Sequence, residues 1–207
     1  SFSHTSAEDF EDGKTEGTMV RSDGAVLLAP HAELIAEVDE PSIWSIAADG
    51  AGCWFGTANP GLVYHWTPGG EPEVFCDTGS LLVLSILPLA DGSVLAGTAP
   101  DGRVLRIAAD GSIQSEWDLP AAWVWCLARD DEGPLAGTGP EGTIYRLGDE
   151  ARFFTRITQP HVFDLLYADE VLYAAGGENA GGVFEIGAGG SVRAVFGCDE
   201  ASCTGLA

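Results

Sequence analysis

One stretch of sequence recurs along this 207-residue chain at a nearly constant interval. Residues 56–66, 97–107 and 137–147 read GTANPGLVYHW, GTAPDGRVLRI and GTGPEGTIYRL. A Gly-Thr pair at Gly17 begins the series and a Gly-Gly pair at Gly176 continues it, so that successive pairs are 39, 41, 40 and 39 residues apart. Periods of about 20 to 50 residues are typical of proteins built from stacked repeats.

Each repeat contains four short apolar runs that are separated by turn residues. In four of the repeats the first run precedes the recurring pair, and these runs read IWSIAADG, VLSILPLADG, VWCLARDDEG and VFDLLYADE. Asp-Gly between two apolar runs is a strong signal for a β-hairpin. Gly, Pro or Asp interrupts the pattern about every eight to ten residues, which is too often for helices. The sequence therefore predicts an all-β fold.

Four antiparallel strands in a unit of about forty residues predict one blade of a β-propeller. A single four-stranded sheet cannot bury both of its faces, whereas neighbouring blades bury them for each other. Glycine in the recurring pair would let the second strand turn sharply, because glycine adopts positive φ without steric cost. We expect one large apolar residue of each first run to lie on the innermost strand and to wedge between blades, namely Trp44, Leu84, Trp125 and Phe163.

The combined pattern VW-x-L/I…DG…AGT-x-P-x-G-x-(V/I)-Y-R-(I/L) resembles the bacterial β-propeller repeats called YVTN-like, NHL-like or two-component-regulator-propeller-like. The resemblance covers nearly the whole chain. WD-repeat propellers share the architecture, but their GH…WD signature is absent from this sequence. The resemblance implies a stack of blades around a central channel that serves as an interaction module, and it carries over no catalytic residue.

The spacing of the runs predicts a single propeller domain over residues 1–207, with one partial blade and four complete ones. The partial blade covers residues 12–39, with strands near 12–20, 25–30 and 33–39. Residues 199–207 begin a further innermost strand, which either completes the partial blade and closes a five-bladed ring or continues a propeller of about six to eight blades. We favour five blades, because closure removes exposed sheet edges. The complete blades are predicted at about 43–79, 83–119, 123–158 and 162–198.

The charge of the chain limits the partners that it can take. There are 32 acidic residues against 9 basic ones, and the net charge is -23. Such a surface repels phosphate backbones and argues against nucleic acid, while it favours cations and basic proteins or serves solubility alone. No apolar run reaches the ~18 residues of a membrane-spanning helix. We expect a protein partner or self-assembly, and no membrane span.

Propellers usually bind ligands on the face formed by the loops between the second and third strands and the loops between blades. These loops would give an acidic rim that binds a cation or a basic partner. The alternative is that the aspartates cap their own turns by accepting hydrogen bonds from nearby backbone N–H groups. The candidate ligand-binding or partner-binding residues on these loops are Asp39, Asn59, Asp77, Asp101, Asp118, Glu141, His161 and Glu178.

The sequence contains no recognisable catalytic motif. A G-x-S-x-G nucleophile elbow, a Walker loop and a dinucleotide fingerprint are all absent. His161, in a blade-to-blade loop, is the best candidate among four scattered histidines, while His65 stands where Arg106 and Arg146 stand in later blades and is predicted to be an exposed strand residue. We predict no cofactor, with a divalent cation such as calcium as the alternative.

The five cysteines fall into two groups. Cys53, Cys76 and Cys126 lie in apolar runs and are predicted to be small buried hydrophobic residues. Cys198 and Cys203 flank DEAS and are candidates for a disulfide across a short loop, which would stabilise the fold by ~2 kcal/mol. That disulfide and the absence of an initial methionine favour an extracytoplasmic or secreted protein, and a cytoplasmic location is the alternative.

Three functions are consistent with these patterns. The favoured one is a non-enzymatic binding or structural scaffold module that presents its acidic loop face to a protein or a small ligand. The second is a divalent-cation-dependent propeller hydrolase or lactonase, in which Asp39, Asn59, Asp77 and Asp118 would have to converge near the axis. The third is a carbohydrate-binding propeller, in which sugars would stack on Trp54, Trp66, Trp117 or Trp123.

Overall fold

The computed structural model describes residues 17–21, 25–29, 34–50, 52–178, 180–198 and 201–206. These residues form β-strands and loops, and no helix occurs among them. The described residues therefore include no helix that is long and apolar enough to cross a membrane. The chain divides into two compact units, Ser1–Glu37 and Val38–Ala207.

The N-terminal unit contains a two-stranded antiparallel hairpin of β1 (Thr18–Val20) and β2 (Val26–Leu28). The backbone N–H of Ala29 donates to the carbonyl of Gly17 at 3.0 Å, which continues the pairing beyond the strands. Residues 34–39, where the sequence predicted a third strand, form none. The beginning of the predicted partial blade, residues 12–16, lies outside the described residues.

The second unit contains four antiparallel sheets of four strands each, with the strands in chain order. We call them the first to fourth blades. The first consists of β3 (Ile43–Asp49), β4 (Gly52–Thr57), β5 (Leu62–Trp66) and β6 (Glu73–Asp77), and the second of β7 (Leu82–Pro88), β8 (Val94–Ala99), β9 (Arg103–Ile107) and β10 (Ile113–Asp118). The third consists of β11 (Trp123–Asp130), β12 (Gly133–Gly139), β13 (Thr143–Leu147) and β14 (Ala151–Arg156), and the fourth of β15 (His161–Ala168), β16 (Val171–Gly177), β17 (Gly181–Ile186) and β18 (Val192–Cys198).

The first strands of consecutive blades contact one another. Strand β3 contacts β7, β7 contacts β11, and β11 contacts β15. Sheets that pack face to face in sequence around their first strands are the blades of a propeller. The predicted fold class, an all-β propeller of four-stranded antiparallel blades, is therefore confirmed. Closure into a five-bladed ring stays a prediction.

Among the described residues of this unit, apolar side chains fill the space between neighbouring blades and make three separate cores. Burying one large aliphatic side chain stabilises a fold by ~1.5–3 kcal/mol, so these interfaces are the main source of stability in the unit. Several residues of each core are fully buried. They include Val63, Val83 and Leu105 between the first and second blades, Leu95, Val104 and Val124 between the second and third, and Leu135, Ile144 and Val162 between the third and fourth.

The recurring glycine is required by packing between blades. A Cβ at Gly97 would lie 2.6 Å from Cγ1 of Val124, the fully buried valine of the following blade. Gly56 and Gly137 face the corresponding valines in the same way. None of the three glycines has a positive φ, so the prediction that they allow a sharp turn is wrong. They are needed because a side chain at these positions would collide with the valine of the next blade.

The recurring threonine closes the loop that follows it. Oγ1 of Thr98 accepts a hydrogen bond from the backbone N–H of Arg103 at 3.2 Å, and Thr57 bonds Leu62 in the same way at 3.1 Å. In the fourth blade the strand register places Ala175 and Gly176 at the positions of Gly97 and Thr98. The sequence analysis placed the fourth blade's pair at Gly176 and Gly177, which is one residue too late in the chain.

Candidate functional site

The first strand of every complete blade contains a β-bulge at the same position. Pairing with the second strand skips one residue in each blade, and a bulge re-aims the side chain of that extra residue. The predicted wedges are these skipped residues. In the second to fourth blades the residue before the skipped one is fully buried between blades, namely Val83, Val124 or Val162. Of the skipped residues themselves, Leu84 is buried and Trp44 is exposed. The skipped residues are Trp44, Leu84, Trp125 and Phe163.

The residue after each bulge forms a hydrogen bond with the segment of chain that packs against its blade. In the fourth blade this residue is Asp164, whose carboxylate accepts a 2.8 Å hydrogen bond from the backbone N–H of Leu206. In the other three blades a side chain donates to a backbone carbonyl of the next first strand. These bonds run from Ser45 Oγ to Val83 O (3.1 Å), from Ser85 Oγ to Val124 O (3.2 Å) and from Cys126 Sγ to Val162 O (3.5 Å).

Two sets of loops meet at one end of the blades, which we call the loop face. The backbone N–H of Asn59 donates to Leu81 O at 3.0 Å, and that of Leu119 donates to Gly102 O at 3.1 Å. Each bond joins a second-to-third-strand loop to a blade-to-blade loop, so the two sets of candidate loops do meet. They comprise residues 58–61, 99–102 and 140–142 in the first set and 78–81, 119–122 and 157–160 in the second.

Four aromatic side chains of the third and fourth blades form a cluster at the loop face, namely Trp123, Trp125, His161 and Phe163. The two tryptophans stack at a centroid distance of 6.0 Å, and His161 and Phe163 stack at 5.4 Å. The two pairs meet edge to face, because the Trp125 ring lies 5.7 Å from His161 at 82° and 5.3 Å from Phe163 at 65°. Such ring pairs contribute ~0.5–1.5 kcal/mol each beyond burial. All four side chains are partly exposed.

One hydrogen bond fixes the arrangement of this aromatic cluster. Nε1 of Trp125 donates to Nδ1 of His161 at 3.0 Å, across the boundary between the two blades. An indole N–H can only donate, so Nδ1 of His161 must act as an acceptor. The bond therefore fixes the orientation of the imidazole relative to the indole.

Gly139 makes room for the aromatic cluster at the end of β12. A Cβ at this position would overlap the imidazole of His161 and would lie 2.8 Å from Nε1 of Trp125. The corresponding residue of the second blade is Ala99, because Ala99 and Gly139 both pair with the first residue of their blade's first strand. The third blade thus provides space that the second does not.

The sequence indicated parts of the cluster but not the cluster itself. His161 was a candidate as an isolated histidine, Trp125 as a wedge between blades, and Trp123 as a sugar-stacking residue. The available signal was that Trp-x-Trp at 123–125 and His-x-Phe at 161–163 occupy the same position in consecutive blades. Because consecutive first strands are neighbours, rings at matching positions come into contact.

Asp101, one of the candidate acidic residues, is held within a network of hydrogen bonds. Its carboxylate accepts from Thr98 Oγ1 at 2.7 Å, Ser80 Oγ at 2.8 Å and Arg103 Nε at 2.7 Å. Arg103 also donates to Glu116 at 2.9 Å. Burial opposes ionisation of Asp101, but the three hydrogen bonds outweigh it and lower its pKa. This carboxylate therefore serves the structure of the loop face.

Two other candidate carboxylates have partners within the protein. Asp77 Oδ1 accepts from the backbone N–H of Gly79 at 2.9 Å, which is the turn-capping arrangement that the sequence left as the alternative. Glu141 forms an exposed ion pair with Arg156. The remaining candidates, Asp39, Asn59, Asp118 and Glu178, are exposed. Within the described ranges, no group of three or more His, Cys, Asp or Glu side chains could hold a metal ion.

The opposite ends of the strands, which we call the turn face, repeat an interaction between a turn aspartate and the third strand. Asp130 accepts two hydrogen bonds of 2.7 Å from Arg146, and Asp91 pairs with Arg106 in the second blade. In the first blade His65 replaces the arginine and stacks on Trp54 at 4.0 Å. Its Nε2 lies 3.2 Å from Asp49 Oδ2, within ion-pair distance but without hydrogen-bond geometry. His65 is therefore half-buried rather than exposed.

A cavity of about 170 Å³ opens at the turn face between the third and fourth blades. It is lined by Asp130, Arg146, Phe154 and Tyr167, among others. Several of its polar groups are engaged within the protein, since Arg146 binds Asp130 and the hydroxyl of Tyr167 donates to Asp131 at 2.6 Å. The aromatic cluster at the loop face is consequently the better candidate for a binding site.

The three cysteines of the apolar runs differ in burial. Cys76 and Cys126 are buried and Cys53 is half-buried, and burial raises the pKa of all three thiols. The sulfur atoms of Cys198 and Cys203 lie 3.8 Å apart, which is a contact distance and not the ~2.05 Å of a disulfide bond.

Comparison with known proteins defines the fold and not the family. No protein-family model matches the chain, and no curated protein matches it. Membership of the bacterial repeat classes named above therefore stays a prediction, and the supported statement is that the chain has a propeller fold.

Several solved propeller structures are similar to this chain. A catalytically inactive variant of virginiamycin B lyase from Staphylococcus aureus, solved with quinupristin, has a TM-score of 0.63 and 15% identity, covering 86% of this chain and 61% of that one. A streptogramin B lyase has a TM-score of 0.62 and 14% identity, and the match covers 86% of this chain and 60% of the lyase. A computationally designed protein has a TM-score of 0.54 and 14% identity, and the match covers 80% of this chain and 99% of the designed protein. This chain spans 50% to 61% of the first three structures found, and at such identities the likeness concerns the fold alone.

Proposed function

We propose that this protein is a non-enzymatic binding module that takes a basic segment of a partner protein on the aromatic cluster at its loop face. The observation that carries the proposal is the cluster itself: four partly exposed rings from two blades, held by the hydrogen bond between Trp125 and His161. The face of an aromatic ring attracts a cation, and tryptophan does so most strongly. Arginine suits such a surface best, because its planar guanidinium also stacks on rings.

The charge of the protein supports a basic partner. A net charge of -23 steers cationic segments towards the surface and raises their association rate. Asp118 is exposed at the end of β10, directly before the loop that leads to Trp123. In contrast, Asp101, Asp77 and Glu141 are engaged within the protein. The acidic rim in this proposal attracts the partner, and the rings provide the contact surface.

The test measures binding of a fluorescently labelled peptide of alternating arginine and glycine, with a glutamate-glycine peptide as the comparison. We expect the arginine peptide alone to bind, and its affinity to fall with added salt because exposed charges are screened. Trp123→Ala should lower the affinity by about tenfold, since a desolvated cation–π contact contributes up to ~2 kcal/mol.

The matched control is Trp66→Ala. Trp66 is also partly exposed, but it lies at the turn face, where its Nε1 donates to Gly70 O at 3.0 Å. This variant should bind the arginine peptide as the parent does. An equal loss in both variants, or no binding of the peptide to the parent, would overturn the proposal.

Carbohydrate binding is a second candidate, because the partly exposed ring of Trp123 could also stack on a sugar. Trp54 does not suit that role, since it is buried and donates to Asp49 at 3.0 Å. Binding on a glycan array that is lost in Trp123→Ala, together with no binding of the arginine peptide, would favour this alternative.

The propeller-hydrolase alternative needs converging ligands such as Asp39, Asn59, Asp77 and Asp118. A rise in melting temperature with millimolar calcium is the result that would support it.

A further inference from the structure

The C-terminal segment, residues 201–206, lies along the fourth blade where a following first strand would begin. Ser202 forms an antiparallel bridge with Gly177, and the corresponding bridge between the first and second blades joins Leu82 to Ala58. The carbonyl of Ala201 accepts from the N–H of Glu178 at 2.9 Å, and the N–H of Cys203 donates to Gly176 O at 3.3 Å. The segment is thus attached to the blade mainly by backbone hydrogen bonds.

The far end of the segment is attached at the position that links every pair of blades. Asp164 follows the bulge in the fourth blade and accepts the hydrogen bond from the backbone N–H of Leu206. Few buried side chains support the segment, because all six of its residues are exposed or only partly buried. A segment of this kind opens at a lower free energy than the strands of the core.

Cys203 of the segment lies against Cys198, the last residue of β18. The two sulfurs are 3.8 Å apart, and Gly181 on the neighbouring strand β17 leaves room for both residues. A Cβ at Gly181 would lie 2.8 Å from Cys198 Sγ and 2.9 Å from the backbone nitrogen of Cys203. To form a bond of ~2.05 Å, the two sulfurs must approach each other from their 3.8 Å separation.

We propose that Cys198 and Cys203 form a disulfide in an oxidising environment and that this bond fastens residues 201–206 to the fourth blade. The bond would hold the C-terminal segment in place by a covalent link, whereas in the thiol form the segment is held mainly by hydrogen bonds. This proposal is independent of the ligand at the loop face.

The reaction needs a small-molecule disulfide such as oxidised glutathione as the oxidant. One cysteine thiolate attacks the glutathione disulfide, forms a mixed disulfide and releases one glutathione thiolate. The second cysteine thiolate attacks the protein sulfur of the mixed disulfide and releases the second glutathione. The two protein thiols lose two electrons and two protons in total, and glutathione disulfide gains them as two thiols.

The environment of the pair favours slow, pH-dependent closure. Burial and the adjacent thiol of Cys198 raise the pKa of Cys203 above its usual value. The thiolate is the attacking species, so its population near pH 7 is small and grows as the pH rises. Oxidation by glutathione disulfide should therefore accelerate from pH 7 to pH 9.

The test treats the whole chain with oxidised glutathione and measures its intact mass and its peptide map without reduction. We expect a loss of two hydrogens and a crosslinked peptide that joins Cys198 to Cys203. Cys198→Ser and Cys203→Ser should each abolish this crosslink, and Cys53→Ser is the matched control that should leave it unchanged.

Hydrogen exchange then tests whether the bond fastens the segment. The backbone amides of Cys203 and Leu206 should exchange about tenfold or more slowly in the oxidised chain than in the reduced chain, while β7 and β11 should be unaffected. The inference is wrong if Cys198 and Cys203 remain thiols at pH 9 with oxidised glutathione in excess. It is also wrong if the crosslink forms and the exchange of the segment does not slow.

Discussion

Nε1 of Trp125 donates a 3.0 Å hydrogen bond to Nδ1 of His161, and the two residues occupy equivalent regions of consecutive blades. Trp125 is the bulged residue of β11, while His161 is the first residue of β15. The bond joins two first strands that are otherwise held together by apolar packing and by the Cys126–Val162 hydrogen bond. It also fixes the orientation of the rings that we propose as the binding surface.

The first prediction concerns the space that Gly139 leaves for this pair. Gly139→Ala should separate Trp125 from His161, because the added methyl group would occupy the place of the imidazole. We expect the free energy of unfolding to fall by ~1–3 kcal/mol, as is usual for overpacking, and the tryptophan fluorescence to change. Urea denaturation followed by fluorescence measures both effects.

Gly189→Ala is the control for this substitution. A Cβ at Gly189 meets nothing within 4 Å, and its backbone does not have a positive φ. Gly189→Ala should change the free energy of unfolding by no more than about 0.5 kcal/mol. If the two variants have the same denaturation midpoint, the close approach at Gly139 is not as we describe it.

The second prediction compares two arginines that both form ion pairs. Arg103 bonds Asp101, Glu116 and Ser80 and is largely shielded, with 21% of its side chain exposed. Arg103→Ala should lower the free energy of unfolding by ~2–3 kcal/mol, because it leaves partly buried charged groups without their partner. Thermal and urea denaturation measure this loss.

Arg193→Ala provides the comparison. The pair between Arg193 and Glu185 is exposed, and exposed pairs contribute only ~0–1 kcal/mol. The expected order is a large loss for Arg103→Ala and a small one for Arg193→Ala. The reverse order would mean that the network around Asp101 does not stabilise the loop face.

The third prediction tests the packing between the first and second blades. Leu105 is fully buried there, and Leu105→Ala should lower the free energy of unfolding by ~2–5 kcal/mol through lost burial and a residual cavity. Phe153 is also large and apolar but is 63% exposed, so Phe153→Ala should change stability by about 0.5 kcal/mol or less. Equal losses in urea denaturation would contradict the assignment of the core to the blade interfaces.

The fourth prediction concerns acid denaturation. Hydrogen bonds from Ser93 and the interaction with Arg106 lower the pKa of Asp91 from 3.8 to about 2. Because the folded-state pKa is depressed, the contribution of this ionised carboxylate is complete above pH ~4 and is lost as the pH falls towards 2. Asp91→Asn should therefore weaken the dependence of unfolding free energy on pH in this window.

Ser93→Ala serves as a second variant for the same window. Its hydroxyl is the leading cause of the shift, so its removal should bring the pKa of Asp91 closer to the ordinary value. Urea denaturation at a series of pH values between 2 and 5 measures both variants. If the unfolding free energy of both variants changes with pH as steeply as that of the parent, the ionised form of Asp91 is not stabilised by Ser93 and Arg106 as described.

Much of the fold could be predicted, because its information is local. Short apolar runs, Asp-Gly turns and the repeat interval indicated four strands for each blade, and the four complete blades have them. The position of Trp44, Leu84, Trp125 and Phe163 at a β-bulge could not be predicted. It depends on a bulge in the pairing of two strands, which apolar periodicity does not reveal.

The candidate site was only partly accessible to sequence reasoning. His161 was identified, and the capping role of Asp77 was foreseen as an alternative. The network that occupies Asp101 was missed, since Ser80 and Arg103 reach it from a different loop and a different strand. A carboxylate on a loop looks available in a sequence until the neighbouring segments are placed in space.

The sequence by itself determined the repeating unit, the strand composition and the acidic charge, because turn chemistry, strand propensity and net charge are properties of neighbouring residues. The tertiary structure alone decided which side chains meet. Trp125 and His161 are 36 residues apart, and Asp101 and Ser80 are 21 apart. Their contacts exist because consecutive blades place equivalent strands and loops side by side, and that placement follows from packing between whole sheets.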